Sequence, residues 1–334
     1  MANNSTEGLR NSSAMRFSQI QLISWTIAYS LSDVAIVLGN ALALVVFLLG
    51  NRYNTSKANY FLINLAVADE LVGVISLPLY IYHLVAYIKK GNFFAGREVY
   101  YVLYMGVDML SGFASMLTIV AIALDRFFAV CYPLRHRVTS SNVYFLLLGV
   151  LWLFPAAIAI WWVLWVEDHA AFAYFMTVVI VCFMLALSVA HALIIIKVKF
   201  RPVRNISRRH AQQERHLMRL LNVVTIAFLL SWLPIHVLDF VYFFFCRTSY
   251  CAVYNIINVF YFAKFLQYAG SFVNPLVYYA NNKDFRRSLR GLVNKGKNSL
   301  ASFGITTYSK KYHMSRKNRS SSRDEKCGTH DTNL

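Results

Sequence analysis

The chain has 334 residues, of which 58% are hydrophobic, 16% aromatic and only 14% charged, and its formal net charge is +18. Soluble domains carry about 25% charged residues, so this composition excludes an ordinary water-soluble protein and calls for several membrane spans. The basic excess would suggest nucleic-acid binding in a soluble chain, but here it sits in loops and a tail between apolar runs, and no nucleic-acid partner is expected.

Residues 1–23 are polar and show no apolar core followed by a small-residue cleavage site, so the first span is expected to serve as its own signal. Asn3, Asn4 and Asn11 each begin an Asn-x-Ser/Thr glycosylation acceptor, as an extracellular N-terminal tail would. Seven apolar segments follow, at about 24–50, 57–86, 97–131, 143–165, 170–198, 215–245 and 252–280, each long enough to cross a bilayer as a helix. With the N-terminus outside, Arg10, Arg16, Lys89, Lys90, Arg97 and Arg247 are the outer cations, Lys264 lies within a span, and the other 26 of the 33 Lys and Arg residues fall inside. That asymmetry follows the positive-inside rule and predicts a multi-pass protein of the plasma membrane.

The third segment, DMLSGFASMLTIVAIALDR, has Asp108 near its start and Arg126 at its end. Eighteen steps of ~100° complete whole turns, which puts both charges on one side of a helix and roughly 27 Å apart, nearly the thickness of a bilayer core. Such a rod links one membrane face to the other. Asn40, Asp69, Ser115, Trp232, Ser271 and Asn274 are further polar residues inside spans, where each needs a partner or a function to offset its cost.

After the seventh segment, residues 281–293 form an amphipathic pattern, with Phe285, Leu289 and Leu292 on one face and Arg286, Arg287 and Arg290 around it. This suits a helix lying on the membrane surface in contact with membrane lipid. Residues 294–334 are rich in Ser, Lys, Arg and Asn without apolar periodicity, and are expected to be a disordered cytoplasmic tail. The predicted organisation is therefore a tail over 1–23, an all-α bundle of seven transmembrane helices over 24–280, the surface helix, and the second tail.

The polar set resembles the rhodopsin-like (class A) G-protein-coupled receptors over residues 30–292. The motifs are GN with Asn40, LAVAD with Asp69, DRF and CYPL with Arg126 and Pro133, Trp152, SWLP with Trp232 and Pro234, and NPLVY with Asn274, Pro275 and Tyr278. The resemblance implies a receptor, not an enzyme, that activates a heterotrimeric G protein when span six swings outward. It implies that Arg126 pairs with Asp125 and with Glu214 to tie spans three and six together at rest. Trp232, Phe228 and the Pro234 kink would pass the push of a ligand inward, and Tyr278 would swing into the gap that span six leaves. Asp69, Ser115, Ser271 and Asn274 would hold a sodium ion, the one candidate cofactor, although Gly270 stands where the family has an Asn.

The family's bridge from span three to the second outer loop has no counterpart, because VYYVLY and VEDHAA contain no Cys. The short second outer loop, FMLALSVAHAL and CRTSYC look like the melanocortin branch and its cannabinoid relatives, without the melanocortin acidic cluster. Cys246 and Cys251 lie outside, where an oxidising surface favours a disulfide between them. Cys131 and Cys182 are read as small packed residues and Cys327 as a reduced tail residue.

For the ligand, the outer halves of the spans offer Asp108, Trp232, His236, Asp239, Lys264 and Tyr268. Amine receptors of the family use an Asp at the position of Asp108 as counter-ion and a Tyr at that of Tyr268, so the resemblance implies a small cationic amine as the extracellular small-molecule ligand. The alternative for Asp108 is that it neutralises Lys264, and a peptide or lipid ligand stays open. An opsin would have its lysine where Tyr268 stands. A transporter would show repeats between halves, and an intramembrane enzyme a nucleophile with its base or a metal cluster; neither pattern is present in the sequence. The ending Thr332-Asn333-Leu334 fits a PDZ ligand, and Ser320, Ser321, Ser322, Thr329 and Thr332 are sites whose phosphorylation would recruit arrestin.

Overall fold

A computed structural model describes residues 2–50, 59–90, 99–164, 169–200, 208–242, 253–281 and 283–296. Side chains within 2–18, 208–222 and 253–257 are not described, so Asn3, Asn4, Asn11 and Glu214 fall outside the described side chains. Cys246, Cys251, Cys327, the tail phosphosites and Leu334 lie outside the described residues altogether.

Every described element is helical. In chain order these are α1 (Ala2–Leu49), α2 (Asn59–Leu71), a π-helical turn (Val72–Ser76), α3 (Leu77–Lys90), α4 (Val99–Cys131), α5 (Pro133–Val138), α6 (Ser141–Leu164), α7 (His169–Phe200), α8 (Arg208–Val241), α9 (Val253–Asn281) and α10 (283–296). Six stretches are long and apolar enough to cross a membrane: Gln19–Leu49, Asn59–Ala86, Val99–Ala129, Ser141–Leu164, Tyr174–Ile194 and Val223–Val241. The remaining long helix, α9, carries Lys264, Gln267, Ser271 and Asn274 among its apolar residues, and it packs between α1 and α8. The chain is thus a bundle of seven spanning helices.

Burial runs opposite to that of a soluble protein. Asn40, Asn64, Asp69, Ser76, Ser111, Ser115, Thr118 and Asn274 are buried, while Leu31, Leu38, Leu146, Leu153, Leu185 and Leu230 face outward. Lipid replaces water as the outer solvent, so apolar side chains lose nothing by pointing out and polar groups must find one another inside. Helix α4 is the axis: it packs on α2, α6 and α7 and touches α3, α5 and α8.

The helices differ from the sequence expectation at several points. Helix α1 starts at Ala2, ahead of the apolar segment expected from about 24, and hydroxyls within that segment bond back along the helix: Ser24 Oγ donates to the Ile20 carbonyl (2.9 Å), Thr26 Oγ1 to Leu22 (2.8 Å) and Ser30 Oγ to Thr26 (2.8 Å), so their polarity is satisfied within the helix. The second span is interrupted by the π turn, where the Leu77 N–H reaches back five residues to the Val72 carbonyl. Pro78 follows, and its missing N–H and its ring disfavour regular α spacing there. Helix α5 is a further element, opened by Pro133 at its first turn, where proline is preorganised. Helix α10 covers 283–296, where the sequence reading expected an amphipathic helix over 281–293. Cys182 is exposed on the outer face of α7 and is not a packed residue, whereas Cys131 is half-buried.

Candidate functional site

Along α4 the polar residues gather into three clusters: one around Asp108, one at mid-bundle around Asp69, and one at Arg126. At the first, α4, α7, α8 and α9 enclose a cavity of about 620 Å³. Trp232 and Gly112 form its floor. A Cβ on residue 112 would lie 2.7 Å from the Trp232 ring, so only glycine lets the indole rest against α4. The walls are apolar and rich in methionine, with Met105, Met109, Met176 and Met184 among them, side chains that adapt to irregular shapes. Asp108, His236, Asp239, Lys264 and Gln267 supply the polar part.

Asp108 is fully engaged. Lys264 Nζ donates to its Oδ2 at 2.8 Å and Ser76 Oγ to its Oδ1 at 2.8 Å. Ser76 ends the π turn of the second span, and the wider turn changes the direction of the residues that follow. The Lys264 ammonium also lies 4.8 Å from the ring centroid of Tyr268 and 6.0 Å from that of Tyr104, within cation–π range. Of the two sequence readings of Asp108, the structure shows the pair with Lys264.

Tyr268 is not among the residues lining the cavity. It is buried behind Lys264, its hydroxyl 3.1 Å from that of Tyr104 and its ring packed on Tyr29 and Tyr80. The other five predicted ligand residues do line the cavity. His236 Nδ1 lies 3.8 Å from Asp239 Oδ2, and the Asp239 side chain keeps 48% of its surface open. His236 Nε2 and Gln267 Oε1 are buried without a hydrogen-bond partner among the described residues. A polar atom left unmatched at a cavity wall is free to meet a ligand.

Below the cavity, Phe228 stacks under Trp232 at 5.1 Å, and Pro234 lies within α8 between Trp232 and His236. Asp69, 1% exposed, accepts from Ser115 Oγ (2.7 Å) and Ser271 Oγ (2.9 Å) on Oδ1 and from Asn274 Nδ2 (2.6 Å) on Oδ2. All four predicted members of this cluster meet. A carboxylate and two hydroxyl oxygens form an all-oxygen set with one negative charge, which fits a hard monovalent cation. Beside it, a Cβ on Gly270 would lie 2.5 Å from Ser231 Oγ, so glycine lets α8 and α9 approach closely at the level of the tryptophan. Asn40 Nδ2 ties α1 to the Ser271 carbonyl at 3.1 Å, and Asn64 joins Thr118 (2.7 Å) to Trp152 Nε1 (2.8 Å).

At the far end Arg126 donates to Asp125 from both Nε and Nη2. Asp125 Oδ1 accepts from Tyr144 Oη at 2.8 Å and contacts His136 Nε2 at 3.0 Å. His136 stands on α5 and Tyr144 on α6, so one carboxylate joins three elements. Sequence reading missed Ser76, Asn64, Tyr104, His136 and Tyr144. No spacing rule brings Ser76, Asn64, His136 and Tyr144 to α4, although Pro78 was a signal for the distortion that carries Ser76; Tyr104 stands on α4 itself, one turn before Asp108. Tyr278 is buried against Phe47 and Phe285, the latter on α10.

The sequence matches the family 7 transmembrane receptor (rhodopsin family) over residues 39–278. The chain belongs to that family. It is therefore a G-protein-coupled receptor and multi-pass membrane protein, and its family is one of receptors, not enzymes. The receptor is 26% identical to the bovine Substance-K receptor, with 81% of this chain aligned to 75% of that protein. It is 25% identical to the rat Somatostatin receptor type 5, with 75% aligned to 72%. The rat Histamine H4 receptor is 34% identical, but over only 40% of this chain and 30% of its own length.

Proposed function

We propose that the receptor lies in the plasma membrane with its N-terminus and the Asp108 cavity outside, binds an extracellular peptide, and activates a heterotrimeric G protein by outward movement of α8. The observation that carries the ligand class is the closed Asp108–Lys264–Ser76 set. A small amine would have to break a 2.8 Å ion pair to use Asp108 as its counter-ion. Asp239, half open on the opposite wall, is the acid left for a ligand cation. His236 Nε2 and Gln267 Oε1 can pair with backbone amides, and the methionine walls can take apolar side chains. A peptide brings all three kinds of group, and the relatives aligned over most of the chain are named for the peptides substance K, neuromedin K and somatostatin. The similarity to the histamine receptor favours an amine as the second reading.

Transmission would run from Trp232 through Phe228 to the Arg126 end, with Pro234 as the flexing point of α8 and Pro275 that of α9. Release of Arg126 from Asp125 and Glu214 would open the G-protein face, and Tyr278 would move into the space. Asp69, Ser115, Ser271 and Asn274 would hold sodium in the resting state. A Cys246–Cys251 disulfide, glycans on Asn3, Asn4 and Asn11, arrestin recruited by the phosphorylated tail and a PDZ partner at Leu334 complete the reading.

The test of the ligand class is a screen of peptides and amines against wild type and Asp239→Asn in cells. We predict a peptide agonist with a basic group whose potency drops about ten-fold in Asp239→Asn, the scale of one charge-assisted hydrogen bond. An amine agonist that depends on Asp108 and is indifferent to Asp239 would overturn the peptide reading.

A further inference from the structure

Two acids that the mechanism does not use stand near the middle of their spans, Asp33 within Gln19–Leu49 and Glu70 within Asn59–Ala86. Asp33 Oδ1 and Glu70 Oε2 are buried, and neither has a hydrogen-bond partner among the described residues. This sets them apart from Asp69, Asp108 and Asp125, each of which is met by a donor from another helix. An unmatched carboxylate at that depth is costly, and intramembrane acids are expected to have a cation or a polar partner.

The packing of α1 shows where they lie. Asn40 and Gly39 face α9, the first through the Ser271 carbonyl and the second against Pro275. Asp33, Val37 and Ala41 follow one another at i, i+4 and i+8, which is one stripe of a helix. That stripe faces the second span, since a Cβ on Gly73 would lie 2.7 Å from Val37 and Glu70 stands against Ala41. On its own helix Glu70 falls between Val67 and Val74, and both valines are exposed, as are Val34 and Leu38 beside Asp33. The two acids are therefore half-buried along the α1–α2 seam, at the lipid-facing edge of the bundle.

We propose that this seam is the docking face for a single transmembrane helix of another membrane protein, one that carries a lysine or arginine at mid-membrane depth. Depth selects the occupant. Water and lipid headgroups stay at the membrane surfaces, and the side chains of Asp and Glu are too short to reach them, so the cation has to arrive on an element that itself crosses the bilayer. A second copy of the chain does not supply it: away from the span ends, Lys264 is the one Lys or Arg in the seven spanning helices, and Asp108 holds it. The seam also has a route to the cavity, because the π turn Val72–Ser76 meets α1 through Gly73 and holds Asp108 through Ser76. A helix seated there would bear on the Asp108–Lys264 set; that consequence rests on the receptor reading, whereas docking does not.

Co-expression of the full-length receptor with a synthetic single-pass helix of leucine and alanine, read by energy transfer between fluorescent labels at matched surface levels, tests this. A helix with one central lysine should associate about ten-fold better than the same helix with leucine there, and moving the lysine to the membrane surface should remove the advantage. Asp33→Asn and Glu70→Gln should each weaken association of the lysine helix about five-fold, the weight of one interhelical polar contact, and the double variant should bring it to the level of the leucine helix. Val74→Trp, which fills the seam and leaves both charges, should weaken it as well. Equal association of the leucine and lysine helices, or lysine-dependent association that survives the double variant, would overturn the site. Receptor–receptor energy transfer that is lost in the double variant, without capture of the lysine helix by wild type, would make a second copy the occupant and overturn the partner assignment. Association is read without ligand or G protein, so its failure is distinct from failure of the receptor reading.

Discussion

Removing either member of the Asp108–Lys264 pair leaves the other charged, largely enclosed and unpaired, and that is where the pair exerts its effect. Each side chain is less than one-fifth exposed, and breaking such a pair costs roughly 3 kcal/mol, much of it the desolvation of the survivor. We predict that Lys264→Gln and Asp108→Asn each lower the thermal stability of the solubilised receptor, and that the double variant is more stable than the sum of the two losses requires. Strict additivity in a thermal-shift assay would show that the two charges do not interact. At the other end, Asp125 Oδ1 serves both Tyr144 and His136. Tyr144→Phe removes one hydrogen bond to a carboxylate, of about 1.5–3 kcal/mol, loosens the carboxylate that holds Arg126, and should raise basal nucleotide exchange about three-fold. Basal exchange at or below the wild-type level would contradict a restraining role for that bond.

Among elements, α8 is the one proposed to carry the transmission, and its packing against α4 depends on a residue without a side chain. Gly112 faces Trp232 so closely that a methyl group there would sit 2.7 Å from the ring, and overpacking of this kind costs about 1–3 kcal/mol. We predict that Gly112→Ala reaches the cell surface but responds to agonist with a potency reduced about ten-fold, because the indole no longer rests on α4. Wild-type potency in that variant would show that contact of Trp232 with α4 is not part of the response. Helix α9 makes the complementary point. It carries polar residues along its apolar stretch because it presents Lys264, Ser271 and Asn274 to Asp108 and Asp69, each of which needs a donor in an apolar surround. Their presence is the consequence of pairing with the acids of α2 and α4.

For the whole molecule, what the sequence displayed was whatever a one-dimensional pattern can carry. Seven apolar runs and the inward placement of Asn40, Asp69 and Asn274 were legible because each follows from a residue's own cost in lipid. The Asp69 cluster was legible through family motifs. The choice between a waiting Asp108 and a satisfied one was not, since it depends on Ser76 arriving from the second span through a π turn, which periodicity does not encode. Tyr268 behind the cavity, and the junction of Asp125 with α5 and α6, were hidden for the same reason: they are set by how helices rotate against one another. Glu214, Cys246 and Cys251 lie beyond the described side chains, and their roles stand as proposals.

The central claim is that this bundle converts a signal in the Asp108 cavity into G-protein activation through Arg126. Nucleotide exchange on a panel of heterotrimeric G proteins, with the receptor in lipid nanodiscs, tests it most directly. Wild type should raise exchange above empty nanodiscs on at least one G protein, and Arg126→Ala should abolish the rise while leaving the receptor folded by thermal shift. No exchange on any G protein, or exchange untouched by Arg126→Ala, would contradict the account.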